Sequence, residues 1–520
     1  MSENADALGR SPAISTKNSN SSRRRRNKKR VIDLKQTQGG FPVPDGDSVL
    51  MCSVGGVSQI GMNWTLYGYR GRWILVDAGS AFAPRDIDGV EAIFPDPKSL
   101  SNVIPRLDAL IVTHAHEDHI GAIHRLWPNI RCPIVATPFA AEVLKARFAE
   151  RRGQGRVKMK IFKPGDKFNI GGFSVQTIRM THSVPECVSL VLRTPAATIF
   201  HTGDWKFDAN PVVGKPTDIA RLIKAGNEGV SAMVCDSTNA DREGKPTSES
   251  DLEAGMTAVM KDTKGMVAVA CFATNVARLA TVVRAAAASG RKVAISGRSL
   301  IKTEGIARKL GLLQGVPPIL AESFHLKGLD RREMALICTG AQGEERAALS
   351  RLSVGDNWRL PKIEPGDAVI HSARVIPGNE AEVYRVFDRL REQGVTVHEG
   401  VYNDMPLHVT GHAVRGDLKR MYKYIRPEFA IPVHGTPAHL EAHAKLAKAM
   451  GVKDVAVPVE GAVFRVTREG VTLSKQVNIN LVAELSVGAP GVYPDWDEAA
   501  FRAAQEAAAE VQEADLALVA

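Results

Sequence analysis

The chain has 520 residues, of which 44% are hydrophobic and 24% are charged, so it is long enough for two or three packed domains of ordinary globular composition. It has no uncharged apolar run of about 20 residues and no apolar stretch behind its N-terminal charges, which argues against a membrane span and a secretory signal. The six cysteines form no CxxC pair, a pattern that favours reduced cytoplasmic thiols over a disulfide framework or a thiolate zinc site.

The first segment, residues 1–48, is polar and strongly basic. Arg23 to Arg30 reads RRRRNKKR and supplies much of the formal net charge of +10. Its Ser-, Asn- and Gly-rich surroundings cannot bury a core, so we expect a disordered tail. The cluster is interpreted either as a solvated charged tail or as a nonspecific nucleic-acid arm, because clustered cations displace counterions from phosphate chains.

Residues 49–245 contain short apolar runs that end in polar turns. WILVDAG (Trp73 to Gly79) and ALIVTHAH (Ala109 to His116) have this form, and TIFHTGD (Thr198 to Asp204) and SAMVCDSTN (Ser231 to Asn239) repeat it. Runs of this length predict strands, with polar side chains in the loops that follow them.

Residues 246–400 change character. Helical stretches such as VARLATVVRAAAA alternate with strands such as GMVAVACF and KVAISG, which is the rhythm of a parallel α/β domain. In residues 401–465 apolar runs again end in histidines, in LHVTGH and FAIPVHGT. Residues 466–520 form a short C-terminal segment, in which Trp496 to Ala520 is a candidate acidic helix capped by Asp495.

The motif THAHEDH concentrates candidate metal ligands in one loop. It supplies His114, His116, Asp118 and His119 directly after a buried-looking strand. Neutral imidazoles and a carboxylate without thiolates suit zinc, with manganese as a harder alternative. One loop cannot close a metal site alone, so further ligands must come from later strand ends. These candidates are His182 in MTHSVP, Asp204 in HTGDWK and His434 in PVHGT.

Seven ligands are too many for one tetrahedral zinc and suit two ions about 3.5–4 Å apart. The expected division is one ion on His114, His116 and His182, a second ion on Asp118, His119 and His434, and Asp204 between them. A water molecule between two dications loses its proton near neutral pH and becomes a nucleophile. Any one of these histidines taken singly would more often be an ordinary polar residue; the motif as a unit predicts a metal centre.

The motif HAHEDH, with Asp77, His182 and Asp204, resembles the metallo-β-lactamase superfamily. The later motifs CDST, TGAQGE, RVIPGNE, HVTGH and PVHG narrow the resemblance to the β-CASP nucleases, and among them to bacterial ribonuclease J. GGVSQIGMN and FATNVARL support it, over about Met51 to about Gly461. The resemblance implies an α/β fold, a metallo-β-lactamase αββα sandwich with an inserted parallel α/β β-CASP domain. More than two hundred residues between Asp204 and His434 leave room for that insert.

The resemblance also implies roles beside metal binding. Asp77 would brace the metal loop by hydrogen bonds. Asp118, Asp236 and His412 would be catalytic, with His412 contacting the scissile phosphate or serving the leaving oxygen as a general acid. Asp236 could instead be an ordinary cap after a strand, and His408 is open between a phosphate contact and a supporting role.

A pocket for a 5′-monophosphate is a further implication. Its expected contributors are Gly340, Gly343, Ser372 and Arg374, while His408 and His412 are expected substrate contacts outside this pocket. Turn amides and a guanidinium suit phosphate oxygens, although two ordinary strand-to-helix turns would have the same sequence. Lys206 and Arg298 are candidate contacts to the RNA backbone.

Four sites depart from the family pattern: Ser58-Gln59, Ala341, His371 and Thr436. None of them is an expected metal ligand. The segment after about residue 465 is shorter than the small α/β domain with which the family often ends. A dimer through such a domain is therefore not assumed, and the oligomeric state stays open.

The predicted function is a cytoplasmic, metal-dependent ribonuclease with two zinc ions per chain, or manganese, active in rRNA processing and mRNA decay. It would degrade single-stranded RNA with a 5′-monophosphate from the 5′ end, with added internal cleavage, and would involve no membrane. The alternatives are a β-CASP nuclease acting on DNA or only internally, a small-molecule hydrolase of the superfamily, and a catalytically silent RNA-binding scaffold.

Overall fold

The computed structural model describes residues 40–81, 90–151, 157–244, 247–320, 323–355, 361–376 and 378–485. The basic cluster Arg23 to Arg30 and the candidate acidic helix Trp496 to Ala520 lie outside the described residues. Within those ranges no helix is both long and apolar enough to cross a membrane.

The strands are, in chain order, β1 Val49–Gly55, β2 Trp64–Tyr69, β3 Arg72–Val76, β4 Val90–Pro95, β5 Leu107–Ile111, β6 Ile134–Ala136, β7 Met159–Ile161, β8 Lys167–Ile170, β9 Phe173–Arg179, β10 Val188–Arg193, β11 Thr198–His201, β12 Ala232–Asp236, β13 Val267–Ala270, β14 Lys292–Ser296, β15 Met334–Cys338, β16 Ala368–His371, β17 Thr396–Glu399, β18 Val401–Tyr402, β19 Met405–Pro406, β20 Phe429–Val433, β21 Asp454–Val455, β22 Ala462–Val466, β23 Val471–Gln476 and β24 Leu481–Leu485. The α-helices are α1 Glu117–Ile120, α2 Ile123–Leu126, α3 Pro138–Glu150, α4 Ile219–Asn227, α5 Leu252–Asp262, α6 Val276–Ala288, α7 Arg298–Lys309, α8 Ala348–Ser353, α9 Glu380–Glu392, α10 Arg415–Ile425 and α11 Pro437–Ala449.

Two large sheets pack face to face. One has the strand order β23-β22-β1-β2-β3-β5-β6-β7, and the other has the order β21-β20-β12-β11-β10-β9-β8. Side chains alternate between the faces of a strand, so in β12 Ala232 and Val234 join the core between the sheets while Met233 and Cys235 pack outward under α4, α10 and α11. Helix α3 packs on the outer face of the first sheet. The predicted αββα sandwich is confirmed.

A third sheet, with the order β14-β15-β13-β16-β17, is parallel throughout. Its inner strands β13, β15 and β16 are buried on both faces, which is why they read as continuous apolar runs in the sequence. Helices α5, α6 and α7 contribute to the core on one face, and α8 and α9 cover the other. The predicted parallel insert is therefore confirmed, and we propose the divisions at residues 245 and 400 as its limits because β13 to β17 lie between them.

The end of the described chain differs from expectation. The division predicted at residue 465 cuts through β22, and β23 continues the same sheet to Gln476. Strand β24 then pairs antiparallel with β4, far back in the sequence. Its Glu484 forms ion pairs with Arg125 in α2 and with Arg151, the residue after α3. These ion pairs connect β24 to the helices that follow the THAHEDH loop.

Candidate metal centre

The seven predicted ligands meet at one edge of the sandwich. The THAHEDH loop follows β5, and His182, Asp204 and His434 follow β9, β11 and β20. Strands β11, β12 and β20 run parallel, so their carboxyl ends lie at the same edge of the second sheet. The structure therefore brings together residues that the sequence separates by more than three hundred positions.

The first ligand group contains His114, His116, His182 and Asp204, whose candidate ligand atoms all lie within 4.8 Å of one another. Nδ1 of His116 is 3.1 Å from Nε2 of His114 and 3.0 Å from Nε2 of His182. Oδ2 of Asp204 is 3.7 Å from His114 Nε2 and 3.8 Å from His182 Nε2. Four ligand atoms facing one point form a pattern suited to tetrahedral zinc.

The second group contains Asp118, His119, Asp204 and His434, again within 4.8 Å. Nε2 of His119 is 3.1 Å from Oδ2 of Asp204 and 3.4 Å from Oδ2 of Asp118. Nε2 of His434 is 3.8 Å from Oδ2 of Asp118. Asp204 belongs to both groups, which is the position expected of a bridging carboxylate.

The donor set fits a cation. Oδ2 of Asp204 and Nε2 of His434 are buried and have no hydrogen-bond partner among the described residues. Burial lowers the pKa of His116 to about 4, against the opposing effect of Asp118 and Asp204, and holds the pKa of His114 and His182 well below the usual range. Imidazoles that stay neutral at pH 7 keep the lone pair that a metal ion needs.

The remaining ring nitrogens of the first group are held by hydrogen bonds. His114 Nδ1 is 3.0 Å from the hydroxyl of Thr113, and His182 Nδ1 donates to the carbonyl of Gly411 at 2.7 Å. His116 Nε2 is 3.3 Å from the hydroxyl of Ser183. Such partners select the tautomer and the ring orientation, so the opposite nitrogen of each ring faces the common centre.

Asp77 forms hydrogen bonds with residues of the THAHEDH loop. Its Oδ1 accepts the Thr113 amide at 2.7 Å, and its Oδ2 accepts the Thr113 hydroxyl at 2.7 Å and Nδ1 of His119 at 2.8 Å. Asp77 has a φ of 61°, and its side chain is buried. Burial raises the pKa of Asp77, although His119 opposes this effect.

Asp236 and His412 form a pair next to both groups. Oδ1 of Asp236 accepts the amide of Thr238 at 2.9 Å and its hydroxyl at 2.6 Å. The ring of His412 stacks on that of His434, with 5.4 Å between centroids and 21° between planes. The structure thus places the two predicted catalytic side chains at the ligand cluster.

Ser372 and His408 both contact Arg278, a residue to which the sequence motifs gave no role. Arg278 is completely buried and donates to the Ser372 hydroxyl at 2.7 Å and to the Val409 carbonyl at 3.2 Å. Its Nη1 lies 3.2 Å from Nδ1 of His408, and the Ser372 hydroxyl donates to the carbonyl of Leu407. The Ser372 hydroxyl is therefore engaged in holding the loop before His412.

The other predicted pocket residues lie in two turns that bind each other. Arg374 donates to Oδ1 of Asn239 at 2.6 Å, and Gln342 donates to the Arg374 carbonyl at 2.7 Å. A Cβ at Gly340 would lie 2.9 Å from the Cβ of Leu349, and one at Gly343 would meet the backbone of α9 at 2.6 Å. Both glycines also have positive φ, so close packing accounts for them without a ligand.

Two departures from the family pattern contact each other. Nε2 of His371 donates to the carbonyl of Ala341 at 2.8 Å, and the ring packs edge-on against Phe387.

Lys206, a predicted contact to the RNA backbone, is only 4% exposed and donates to the carbonyl of Thr247. That prediction is wrong, because the ammonium group faces the interior. Arg298 is exposed at the start of α7 and stays a candidate contact.

Three family models match consecutive parts of the chain. The Beta-lactamase superfamily domain matches residues 72–257, and the Ribonuclease J, beta-CASP domain matches residues 264–390. The Zn-dependent metallo-hydrolase RNA specificity domain matches residues 406–458. The order of these matches is the order of sandwich, insert and return segment in the fold.

Curated relatives decide the family. Ribonuclease J of Sinorhizobium meliloti (strain Sm2011 / Rm2011 / 2011) is 40% identical over 426 residues, which are 81% of this chain and 75% of that protein. The chain belongs to the ribonuclease J family. Ribonuclease J of Mycolicibacterium smegmatis (strain ATCC 700084 / mc(2)155) is 38% identical over 405 residues, which are 77% of this chain and 71% of that protein.

A solved structure with the same fold is that of a protein of unknown function from Enterococcus faecalis V583. The two structures superpose with a TM-score of 0.55 at 17% sequence identity, over 80% of this chain and 100% of the other chain.

Membership of the ribonuclease J family confirms the resemblance seen in the motifs. The chain is a hydrolytic ribonuclease of the metallo-β-lactamase fold, and its His and Asp clusters make it metal-dependent.

Proposed function

We propose that this ribonuclease cleaves single-stranded RNA from a 5′-monophosphate end in the 5′-to-3′ direction, with added internal cleavage, in rRNA processing and mRNA decay in the cytoplasm. The observation that carries the proposal is the shared carboxylate of Asp204, which joins two ligand groups beside the Asp236–His412 pair. All six cysteines are buried free thiols, which supports a reducing compartment.

The metal ligands we propose are His114, His116, Asp118, His119, His182, Asp204 and His434. They would hold two zinc ions, or two manganese ions. When bound, such a pair supplies positive charge for the phosphate and activates a water molecule for attack on phosphorus. Asp77 would keep His119 in the orientation that this site requires.

The protein's own groups would then handle the protons. We assign Asp118 as the carboxylate that receives the proton of the attacking water, because its side chain is 27% exposed whereas that of Asp204 is 2% exposed. His412 would be the general acid for the leaving oxygen, since Asp236 holds its Nδ1 and leaves Nε2 for the substrate. Residues His408, Arg374, Gly340 and Gly343 would line the path of the RNA 5′ end, and Ser372 would support it.

The experiment uses RNA labelled at its 5′ end with a monophosphate or a triphosphate, and single-stranded DNA of the same sequence. Zinc and manganese are each supplied to the wild type, to His116→Ala and to the control His398→Gln. His398 lies on β17 and packs against Tyr402, outside both ligand groups. We expect labelled mononucleotide from the monophosphate RNA with the wild type and with the control, and no product with His116→Ala.

Each other outcome would change a stated part of the proposal. Labelled internal fragments alone would show a purely endonucleolytic enzyme, and faster cleavage of DNA would remove RNA as the preferred substrate. Equal rates on the two RNA ends would remove the 5′-monophosphate preference. An unaltered rate in His116→Ala would overturn the ligand assignment. Binding of RNA without cleavage in the presence of either metal would support the alternative that the protein is a catalytically silent RNA-binding scaffold.

A further inference from the structure

Asn63 ends the glycine-rich motif GGVSQIGMN, just before β2, and its carboxamide contacts the second ligand group. Its Oδ1 lies 2.6 Å from Nδ1 of His434, and its Nδ2 lies 3.1 Å from Oδ2 of Asp118. Nδ2 is also 3.0 Å from Nε2 of His119. One side chain outside the ligand set therefore reaches three of its four members.

Hydrogen-bond chemistry determines what these contacts mean. An amide oxygen only accepts and an amide nitrogen only donates, whereas the carboxylate of Asp118 only accepts. Nδ2 of Asn63 must therefore face Asp118, and Oδ1 must accept a proton from Nδ1 of His434. The lone pair of His434 is then on Nε2, the buried atom that has no hydrogen-bond partner among the described residues.

With the contact between Asn63 and His434, each of the five site histidines has a partner for the ring nitrogen that does not face the metal site. The non-ligating nitrogens of the other four site histidines are held by the Thr113 hydroxyl, the Ser183 hydroxyl, the Gly411 carbonyl and the Asp77 carboxylate. Asn63 does for His434 what Asp77 does for His119. A small void of about 20 Å³, lined by Asn63, His119, Asp204 and His434 among others, has room for one ion or one water molecule.

The glycines of the motif make the contact possible. A Cβ at Gly56, where φ is +80°, would lie 2.4 Å from Oδ1 of Asn63. A Cβ at Gly55 would lie 2.4 Å from the carbonyl of Met62. The backbone amide of Asn63 donates to the carbonyl of Asp118 at 2.8 Å, and that of His434 donates to the carbonyl of Gly56 at 2.7 Å. The motif therefore brings Asn63, Asp118 and His434 into contact through both backbone and side chain.

We propose that Asn63 is a positioning residue for the second metal ion. It holds the ring of His434 and the carboxylate of Asp118 so that their free atoms face the same point. The inference rests on the proposed function in one respect, the presence of two ions. Loss of a partner that orients a metal ligand typically costs about 10–100-fold in metal affinity.

The test compares full-length wild type with Asn63→Ala, Asn63→Asp and the control Asn102→Ala. Asn102 also makes two hydrogen bonds through its carboxamide, both to the backbone of Phe41, away from the site. Each protein is stripped with a chelator and equilibrated at a series of buffered free zinc concentrations. Bound zinc per chain and the zinc-dependent rise in melting temperature are measured.

We expect two ions per chain in the wild type and in Asn102→Ala. In Asn63→Ala the second ion should bind about 10–100-fold more weakly while the first is unchanged. Asn63→Asp keeps an acceptor for Nδ1 of His434 but has no N–H for Asp118. Because one of the two contacts remains, its loss of zinc affinity should be smaller than that of Asn63→Ala. This variant also serves if Asn63→Ala does not fold.

Wild-type affinity for both ions in both Asn63 variants would overturn the positioning role. If the wild type itself bound fewer than two ions, the two-metal assignment would fall instead, so the two failures are distinguishable. A lower melting temperature without zinc in Asn63→Ala, with unchanged zinc binding, would show a merely structural residue and would also overturn the proposal.

Discussion

Nδ1 of His412 lies 2.9 Å from Oδ2 of Asp236. Burial lowers the pKa of His412, but the combined effect of Asp236, Asp204 and Asp118 outweighs burial and raises the pKa to about 9. The imidazole is therefore protonated at neutral pH and can donate a proton to a leaving oxygen. A general acid is active below its pKa, so the rate should fall on the alkaline side of the pH profile.

Asp236→Asn should lower kcat by roughly 100-fold, the smaller end of what a general acid contributes, and should move the alkaline limb to lower pH. The direction follows because loss of the carboxylate lowers the pKa of His412. Rates from pH 6 to pH 10 at saturating metal check this, with Asp262→Asn as a control, since Asp262 bonds the exposed Tyr402 hydroxyl. An alkaline limb in the same place in both variants would remove the acid role of His412.

Arg278→Met should weaken both folding and catalysis. The buried guanidinium of Arg278 pairs with Glu249 at 2.6 Å and holds the loop that leads to His412, through Ser372 and Val409. Removing one partner of a buried ion pair typically costs about 3–5 kcal/mol. We expect a loss of that size in urea unfolding, and a kcat at least tenfold lower at a temperature where the variant is folded.

Arg291→Met is the matched control. Arg291 is also buried in the insert, but it donates to the carbonyls of Met260, Gly265 and Met334 and does not contact the His412 loop. It should lose stability while keeping kcat close to the wild-type value. Equal losses of kcat in both variants would mean that general loosening of the insert, and not the loop contact, lowers the rate.

Asp417→Asn should stabilise the protein at alkaline pH. Burial raises the pKa of Asp417 to about 6, although Arg420, 3.9 Å away, opposes this. The folded carboxyl therefore binds its proton more tightly than the unfolded one, and stability is lost as pH rises from about 4 through about 6. Two pKa units correspond to about 3 kcal/mol, an upper value at pH 8.

Urea unfolding at pH 4.5 and pH 8 measures this effect. Asp417→Asn should gain about 1–3 kcal/mol at pH 8 and much less at pH 4.5. Asp388→Asn is the control, because the side chain of Asp388 is 66% exposed and pairs only weakly with Arg391. A gain that is the same at both pH values would contradict ionisation of Asp417 as its source.

Deletion of Arg23 to Arg30 should weaken RNA binding and flatten its dependence on salt. The segment carries seven basic residues. Each phosphate contact to a single strand contributes roughly 0.7 to the slope of log affinity against log salt. Binding titrations between 50 and 300 mM salt check this, against deletion of Ser11 to Asn18, which carries one lysine. Equal slopes for both deletions would show that the basic cluster does not bind RNA.

The proposed ligand set could be predicted from the sequence because four of its seven members form a local signal. His114, His116, Asp118 and His119 stand together in one motif, and their chemistry is that of a metal site wherever the loop folds. The parallel insert could also be predicted, because strands buried on both faces must be apolar throughout and must alternate with helices.

The pocket residues and the last strands could not be read in the same way. Ser372 looks like a free hydroxyl until Arg278 is placed beside it, and Lys206 looks exposed until its burial is seen. Strand β24 is an ordinary short apolar run, and only its pairing with β4 gives it a place in the fold. Each depends on a partner distant in the chain.

By itself, the sequence determined the chemistry of the centre and the class of the fold, because residue type and short-range periodicity are properties of neighbouring positions. Only the tertiary structure decided which polar groups remain free for a ligand. Asn63 meets Asp118 and His434 because distant segments pack against each other, and packing determines both the partners and the burial of every side chain between them.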